Sequence, residues 1–136
     1  MKSKNDPRHN ARKLALSSIF CWLFSEQDQE KCLELSQSLL KSNNADIALT
    51  KEISGGVRAN RKEIDSLITE HAPDWPIDKI AKVDLVILRI AVFELKFGKE
   101  MSEKIVIDEA IELSKEFSND TSSKFVNGVL GSIVDN

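Results

Sequence analysis

The chain has 136 residues, of which 41% are hydrophobic and 30% are charged, with five Gly, three Pro and no Tyr. This balance is typical of one globular domain and excludes a disordered chain, and the residue types favour helices over strands. No apolar run approaches the roughly 18–20 residues of a membrane span, and the polar N-terminus is unlike a secretion signal. We therefore expect a soluble, cytoplasmic protein that does not enter a membrane.

Charge is segregated along the chain. Residues 1–13 carry a net charge of +4, whereas the rest carries −7, which gives the total of −3. Arg8 and Arg12 are one helical turn apart, so both side chains can face a phosphate backbone. A short basic terminus is also a common solvated tail, so charge alone leaves nucleic-acid binding open.

Two helices are predicted in the first part of the chain. Asp6 followed by Pro7 favours a helix start, because Asp accepts hydrogen bonds from free backbone N–H groups and Pro suits the first helical position. Apolar residues then recur at helical spacing to about Gln27 and give this helix an unusually wide apolar face. A second helix from about Asp28 to Lys41 would complete a helical hairpin.

The two cysteines, Cys21 and Cys32, are eleven positions apart and form no CxxC pair. They lie on or near the apolar stripes of the two predicted helices. This spacing suggests neither a zinc site nor a disulfide framework, so we expect reduced thiols that fill the core.

A long helical stretch is predicted from Ile47 to His71, although Gly55-Gly56 weakens its middle. Two prolines then flank Asp74-Trp75 and end the helix. We expect a single domain over 1–136, with this turn separating an N-terminal helical subdomain of about 10–72 from a C-terminal one of about 76–136.

The second half of the chain predicts further helices. The segment from Val83 to Leu95 is apolar nearly all round; a buried strand is the competing interpretation, but its length and the position of Gly98 favour a central buried helix. Amphipathic stripes from Ile107 to Phe117 and from Val126 to Ile133 predict two more. The predicted fold class is all-α, with about seven helices in two packed helical bundles.

Residues suited to catalysis are sparse. The sequence has two histidines and shows neither a His-Glu-x-x-His motif nor a glycine-rich phosphate loop. Asp108, Glu109 and Glu112 could share one helical surface, but the lysines around them favour a solvated charged face over a metal or acid–base site. We expect no enzymatic activity, no cofactor, no metal and no small-molecule substrate.

The stretch from Asn119 to Gly128 places hydroxyl groups at a helix start beside an aromatic ring. Phe125 could stack on an unpaired base while Lys124 meets a phosphate. The alternative is an N-cap made by Asp120 or Thr121 with Phe125 in the core, and it stays open.

Four blocks carry a resemblance to a known family. They are Ala11–Leu16 (ARKLAL), Leu88–Leu95 (LRIAVFEL), Ile107–Lys115 (IDEAIELSK) and Lys124–Leu130 (KFVNGVL). Together they resemble the NusB family of transcription antitermination proteins, and the last two blocks are the most specific. The resemblance implies a fold of two helical bundles and a role in processive transcription of ribosomal RNA, without catalysis.

The resemblance also implies partners and site residues. Members of the family pair with NusE, a small-subunit ribosomal protein, on single-stranded boxA RNA, within an antitermination complex that includes RNA polymerase. By matching position, the expected RNA contacts are Arg8, Arg12, Lys13, Lys124 and Phe125. Phe20 and Asp84 are expected to face NusE.

This N-terminus has fewer arginines than is common in the family, and Lys lacks the planar fork with which Arg binds phosphate. We therefore expect RNA binding to depend strongly on NusE.

The sequence also allows two other functions. The related RNA-binding domain of certain ribosomal-RNA cytosine methyltransferases is disfavoured because this chain contains no Rossmann-type glycine motif or catalytic domain. A protein-only assembly adaptor, with an incidental basic arm, remains open.

Overall fold

The computed structural model describes residues 6–25, 28–40, 44–98 and 102–135. All regular secondary structure within these ranges is helical and none of it is strand, so the predicted all-α class with about seven helices is confirmed. The helices are α1 (Pro7–Ser25), α2 (Gln29–Leu40), α3 (Ile47–Ala59), α4 (Arg61–His71), α5 (Lys82–Phe97), α6 (Glu103–Phe117) and α7 (Asp120–Val134), with a 3₁₀ helix at Ile77–Lys79. None of the described helices is long and apolar enough to cross a membrane.

The chain divides into two compact units, Met1–Gly56 and Val57–Asn136. This division falls inside α3, whereas the sequence placed it at the turn near Ala72–Pro76. The difference arises because α4 packs against α5 and α7 and so groups with the second unit. The two prolines after α4 predict where that helix ends, but they do not predict which helices it contacts.

In the first unit, α1 starts where the sequence predicts. The Asp6 carboxylate Oδ1 accepts hydrogen bonds from the backbone N–H groups of Arg8, at 3.0 Å, and His9, at 3.4 Å. These bonds satisfy N–H groups that have no partner within the helix. α1 and α2 pack against each other, as expected of a helical hairpin.

The start of α3 is attached to α1 by two hydrogen bonds. The backbone N–H of Asp46 donates to the carbonyl of Pro7 at 3.0 Å. The hydroxyl of the fully buried Thr50 donates to the carbonyl of Ala11 at 3.2 Å. The three helices of this unit are therefore joined through α1.

Cys21 and Cys32 form a disulfide between α1 and α2, with their Cα atoms 5.7 Å apart. The prediction of two reduced thiols was wrong for this structure. Each cysteine lies on the stripe that its helix turns toward the other helix, so the hairpin brings them within the Cα separation that a disulfide needs. Spacing along the sequence does not reveal this pairing, because it depends on the register of two packed helices.

The predicted continuous stretch from Ile47 to His71 is two helices that break at Asn60. The backbone of Asn60 has φ −110° and ψ 20°, outside the helical region. Asn competes with helical hydrogen bonding through its own side chain, which suits it to such a break. Gly55 and Gly56 lie inside α3, so helix propensity alone pointed to the wrong position.

In the second unit, α5 is the central helix, and each residue from Asp84 to Glu94 is buried. It packs against α4, α6 and α7, which explains why its sequence is apolar nearly all round. Gly98 ends the helix as predicted, and its N–H donates to the carbonyls of Phe93 and Glu94 at 3.1 and 3.2 Å.

Candidate nucleic-acid interface

The second unit contains a cavity of about 250 Å³ where the starts of α5 and α7 meet the turn that precedes α5. Its aromatic and polar lining residues are Trp75, Lys79, Asp84, Thr121, Ser122 and Phe125. These residues come from three separate parts of the sequence. The fold therefore builds one mixed aromatic and charged pocket from them.

The aromatic side of the pocket is a pair of rings. Trp75 and Phe125 lie edge to face, with centroids 6.1 Å apart and ring planes at 70°. The turn that carries Trp75 is held by a 3.0 Å hydrogen bond from its backbone N–H to the carbonyl of Ala72. Trp75 is nevertheless 51% exposed, so much of its indole surface remains open to a ligand.

The polar side of the pocket is the carboxylate of Asp84, which is only 6% exposed. Its Oδ2 accepts a 2.9 Å hydrogen bond from the Ser122 hydroxyl. Its Oδ1 is buried and has no hydrogen-bond partner among the described residues. Asp84 lies in the first turn of α5, where the helix dipole favours a negative charge. An unsatisfied buried carboxylate oxygen is costly unless something supplies a donor.

Ser122 connects this carboxylate to the start of α7. Its backbone N–H donates to the Asn119 side chain at 2.9 Å, which makes Asn119 the N-cap rather than Asp120 or Thr121. Its hydroxyl also accepts a 2.7 Å hydrogen bond from the Ser118 hydroxyl. The orientation of the Asp84 carboxylate is thus tied to the geometry of the α7 cap.

The predicted site residues of this unit are partly brought together. Asp84 and Phe125 line the same pocket, although the first was expected to face a protein and the second RNA. Lys124 precedes Phe125 on α7 and is exposed. The deep burial of Asp84 is the unexpected feature, because a protein-facing acid would ordinarily be accessible.

The predicted site residues of the first unit all lie on α1, and their exposure differs. Arg8 is exposed, Lys13 and Phe20 are half-buried, and Arg12 is only 1% exposed. Arg8 therefore has the most accessible cationic group of the three. The role of all four as contacts stays a prediction.

Sequence reasoning missed Trp75 and Lys79 as candidate binding residues, whereas Ser122 belongs to the hydroxyl-rich stretch that the sequence analysis singled out. A signal was present for the first, because a tryptophan between two prolines in a polar turn has no amphipathic helix to bury it. No comparable signal marks Lys79, whose position at the pocket depends on the turn into α5.

The acidic residues of α6 form the predicted solvated charged face only in part, because Glu109 is 2% exposed. The Lys104 ammonium is 3.0 Å from the Asp108 carboxylate in an exposed i, i+4 pair, whereas Glu109 is buried. Among the residues that the structure describes, no group of three or more His, Cys, Asp or Glu side chains is placed to hold a metal ion.

Comparison with known proteins gives consistent matches over nearly the whole chain. The NusB family profile matches residues 9–135. Transcription antitermination protein NusB of Ligilactobacillus salivarius is 40% identical over 130 residues, covering 93% of this chain and 97% of that protein. The NusB protein of Shewanella oneidensis is 40% identical over 134 residues, covering 96% and 97%.

A solved structure agrees with the sequence relatives. The structure of antitermination factors NusB and NusE in complex with double-stranded RNA superposes with a TM-score of 0.83 at 26% identity, covering 93% of this chain and 95% of that one. The helical architecture is therefore shared as well as the sequence. This chain belongs to the NusB family.

Proposed function

We propose that this protein is a transcription antitermination factor that binds boxA RNA of nascent ribosomal RNA transcripts together with NusE, in a complex with RNA polymerase. The observation that carries the proposal is the match over nearly the full length to proteins named for transcription antitermination. The solved neighbour that contains NusB, NusE and RNA supports the choice of partners. The protein acts as a cytoplasmic, non-enzymatic adaptor.

RNA contact is assigned to exposed cations and an aromatic ring. Arg8 and Lys124 are exposed and can meet phosphates, and Phe125 can stack on an unpaired base. Arg12 and Lys13 belong to the same basic segment, but the burial of Arg12 makes its effect on folding hard to separate from an effect on RNA. Arg8 is therefore the better residue to vary first.

The proposal is tested by fluorescence anisotropy of a labelled single-stranded boxA-like RNA, titrated with this protein alone and with NusE across a range of salt concentrations. Arg8→Ala should weaken binding and reduce the log–log salt slope by about 0.7, the contribution of one phosphate contact to a single strand. Lys62→Ala, which removes an exposed cation from α4 outside the predicted contacts, should leave both affinity and slope unchanged.

Phe125→Ala should lower the affinity about 5- to 160-fold, because a base stacked on an aromatic ring contributes roughly 1–3 kcal/mol. Phe117→Ala is the matched control, since Phe117 lies on α6 and is 39% exposed. NusE should raise the affinity for boxA-like RNA well above that of the protein alone. Equal affinity with and without NusE would contradict the partner dependence, and NusE binding without any RNA binding would identify a protein-only adaptor.

Phe20 on α1 is assigned to the contact with NusE, whereas Asp84, for which the family resemblance implies the same role, is only 6% exposed. Phe20 is half-buried and can offer part of its ring to another protein. Phe20→Ala should therefore weaken NusE binding in the absence of RNA, as measured by calorimetric titration. A Phe20→Ala variant that binds NusE as tightly as the unaltered protein would remove this residue from the proposed surface.

A further inference from the structure

We propose that the disulfide between Cys21 and Cys32 is a thiol–disulfide switch, and that the oxidised protein binds NusE more tightly than the reduced protein. The inference rests on the proposed function and adds to it a means of regulation at the Phe20 contact. The chain has two cysteines, and both are in this bond. Since the cytoplasm keeps thiols reduced, a disulfide there is usually transient and redox-sensing.

The position of α2 depends chiefly on α1. Among the described helices, α2 packs mainly against α1. The disulfide is one link between these two helices, and a 2.8 Å hydrogen bond from the Ser36 hydroxyl to the Ser17 hydroxyl is another. Reduction of the bond therefore removes a covalent link that helps to hold α2 in place.

α1 itself stays attached to the rest of its unit when the disulfide is reduced. The hydrogen bonds from Asp46 and Thr50 to the carbonyls of Pro7 and Ala11 hold its first half. Ala11 is ten residues before Cys21, which is roughly 15 Å along the helix. Reduction should therefore loosen α2 without unfolding the whole unit.

Phe20 and Leu35 lie on the same side of the hairpin formed by α1 and α2. Ser18 and Leu33 both line a cavity that Ser54 of α3 also lines, so they mark the α3 side of the two helices. Successive helical residues are about 100° apart, so a residue two positions further along lies about 200° away. Phe20 on α1 and Leu35 on α2 are therefore both on the side away from this cavity.

This shared side is an apolar surface contributed by two helices. Leu35 is 42% exposed, and Phe20 is half-buried. A partner that covers the ring of Phe20 also meets Leu35 as long as α2 is held beside α1. Cys21 directly follows Phe20, and Cys32 precedes Leu35 by about one helical turn. The disulfide therefore keeps the two parts of the surface together.

The switch operates by thiol–disulfide exchange with a dithiol. Cys32 has no exposed surface and Cys21 is half-buried, so local opening of the hairpin admits the reductant. One thiolate of the dithiol attacks a sulfur of the bond and forms a mixed disulfide, and the other cysteine leaves as a thiolate and takes up a proton.

The second thiol of the reductant then loses its proton and attacks the reductant's own sulfur in the mixed disulfide. The remaining cysteine leaves and is protonated, and the reductant departs as a disulfide. Two electrons and two protons have then passed from the dithiol to the protein. A disulfide oxidant such as oxidised glutathione reverses the reaction.

The switch is tested by calorimetric titration of NusE into oxidised protein and into protein that was reduced with dithiothreitol and freed of it under nitrogen, without RNA. Tagging of thiols with a maleimide should find none in the first form and two in the second. The oxidised form should bind NusE about tenfold more tightly, the effect of one well-packed interface contact. Circular dichroism checks that both forms are folded.

The double variant Cys21→Ser/Cys32→Ser should bind NusE like the reduced protein, whether or not it has been treated with dithiothreitol. Cys21→Ala/Cys32→Ala provides the same comparison without buried hydroxyl groups. A double variant that binds like the oxidised protein would show that the cross-link does not support the NusE contact.

Leu35→Ala should weaken NusE binding by the oxidised protein and remove most of its response to reduction, because the α2 part of the surface is then absent. Glu30→Ala is the matched control, since Glu30 is exposed on α2 but lines the cavity on the α3 side. Reduction should not change the affinity for boxA-like RNA alone, because Arg8 lies at the start of α1 and Phe125 in the second unit.

Equal NusE affinity of the oxidised and reduced forms would overturn the switch while the proposed function stands. An equal loss of affinity for RNA alone on reduction would indicate general loosening of the fold and would overturn it too, as would a full response to reduction in Leu35→Ala. No NusE binding in either form, together with no effect of NusE on boxA-like RNA binding, would overturn the proposed function as well.

Discussion

Arg89 shows how a single buried charge organises the second unit. The side chain is 2% exposed, and its Nε and Nη2 donate to the two carboxylate oxygens of Asp65 at 2.9 and 3.0 Å. This paired geometry joins α4 to the central α5. Because two donors of one guanidinium each bind a different oxygen of the same carboxylate, the pair fixes orientation as well as distance.

Asp65→Ala should lower the free energy of unfolding by about 3 kcal/mol, because it leaves the buried guanidinium of Arg89 without its carboxylate. Asp108→Ala is the matched control; it breaks the exposed pair with Lys104 and should change stability by less than about 1 kcal/mol. Urea denaturation followed by circular dichroism measures both. Similar losses of stability in the two variants would show that burial of Arg89 does not increase the contribution of its ion pair.

Gly98 is required for a different reason from the one usually given for glycine at a helix end. Its backbone is extended, with φ −72°, but a Cβ atom would lie 2.5 Å from the carbonyl oxygen of Glu94. Gly98→Ala should therefore destabilise the protein by about 1–3 kcal/mol. Gly128→Ala meets no atom within 4 Å on α7 and should instead stabilise by up to about 1 kcal/mol. Thermal unfolding of the two variants should shift in opposite directions, and a neutral Gly98→Ala would contradict the steric argument.

Sequence reasoning identified Phe125 and Asp84 as residues of interest, but it could not place them in one pocket. They are far apart in the sequence, and the hydrogen bond from Ser122 to Asp84 crosses from α7 to α5. Contacts of this kind depend on how helices pack, which no local pattern encodes. For the same reason, the sequence did not show that Cys21 pairs with Cys32.

At the level of helices, the sequence predicted those elements whose ends are set by local chemistry. Asp6-Pro7 and Gly98 mark the ends of α1 and α5 as expected. The break at Asn60 was missed because periodicity continues across it, and two glycines nearby gave a stronger but misleading signal. The residues that cap a helix therefore predicted where helices end. They did not predict that one continuous periodic stretch is divided into two helices.

The cap of α7 links helix stability to the RNA contacts proposed on that helix. Asn119→Ala removes the acceptor for the Ser122 N–H and should cost about 1 kcal/mol. Ser102→Ala removes the equivalent cap of α6, which accepts from the Ile105 N–H at 3.1 Å, and should cost a similar amount. Only Asn119→Ala should also weaken RNA binding, because Asn119 caps the helix that carries the proposed RNA contacts Lys124 and Phe125. Equal effects of the two variants on RNA affinity would show that the cap acts through general stability alone.

For the molecule as a whole, the covalent cross-link is confined to one of the two units. Both cysteines of the chain lie in Met1–Gly56, so the second unit has none. A disulfide that closes a loop of this size stabilises by roughly 3 kcal/mol through loss of chain entropy in the unfolded state. The stability of the two units should therefore respond differently to a reducing agent.

Dithiothreitol should speed hydrogen exchange of α1 and α2 amides by up to about 100-fold, while the amides of α5 change little. Hydrogen-exchange mass spectrometry measures both regions in one experiment. The double variant Cys21→Ser/Cys32→Ser should already exchange at the faster rate and be insensitive to the reductant. An equal acceleration of α5 would show that the units do not open independently.

The placement of α4 in the second unit determines how the protein can be divided into fragments. Ile64 and Ile68 on α4 are both fully buried, and α4 packs on α5 and α7. A fragment that starts after the proline turn would lack α4 and leave part of α5 uncovered. A fragment that starts at Asn60 retains α4, α5, α6 and α7 together with the pocket at Asp84. We therefore expect this fragment to fold on its own, and we do not expect this of a fragment that starts at the turn near Ala72–Pro76.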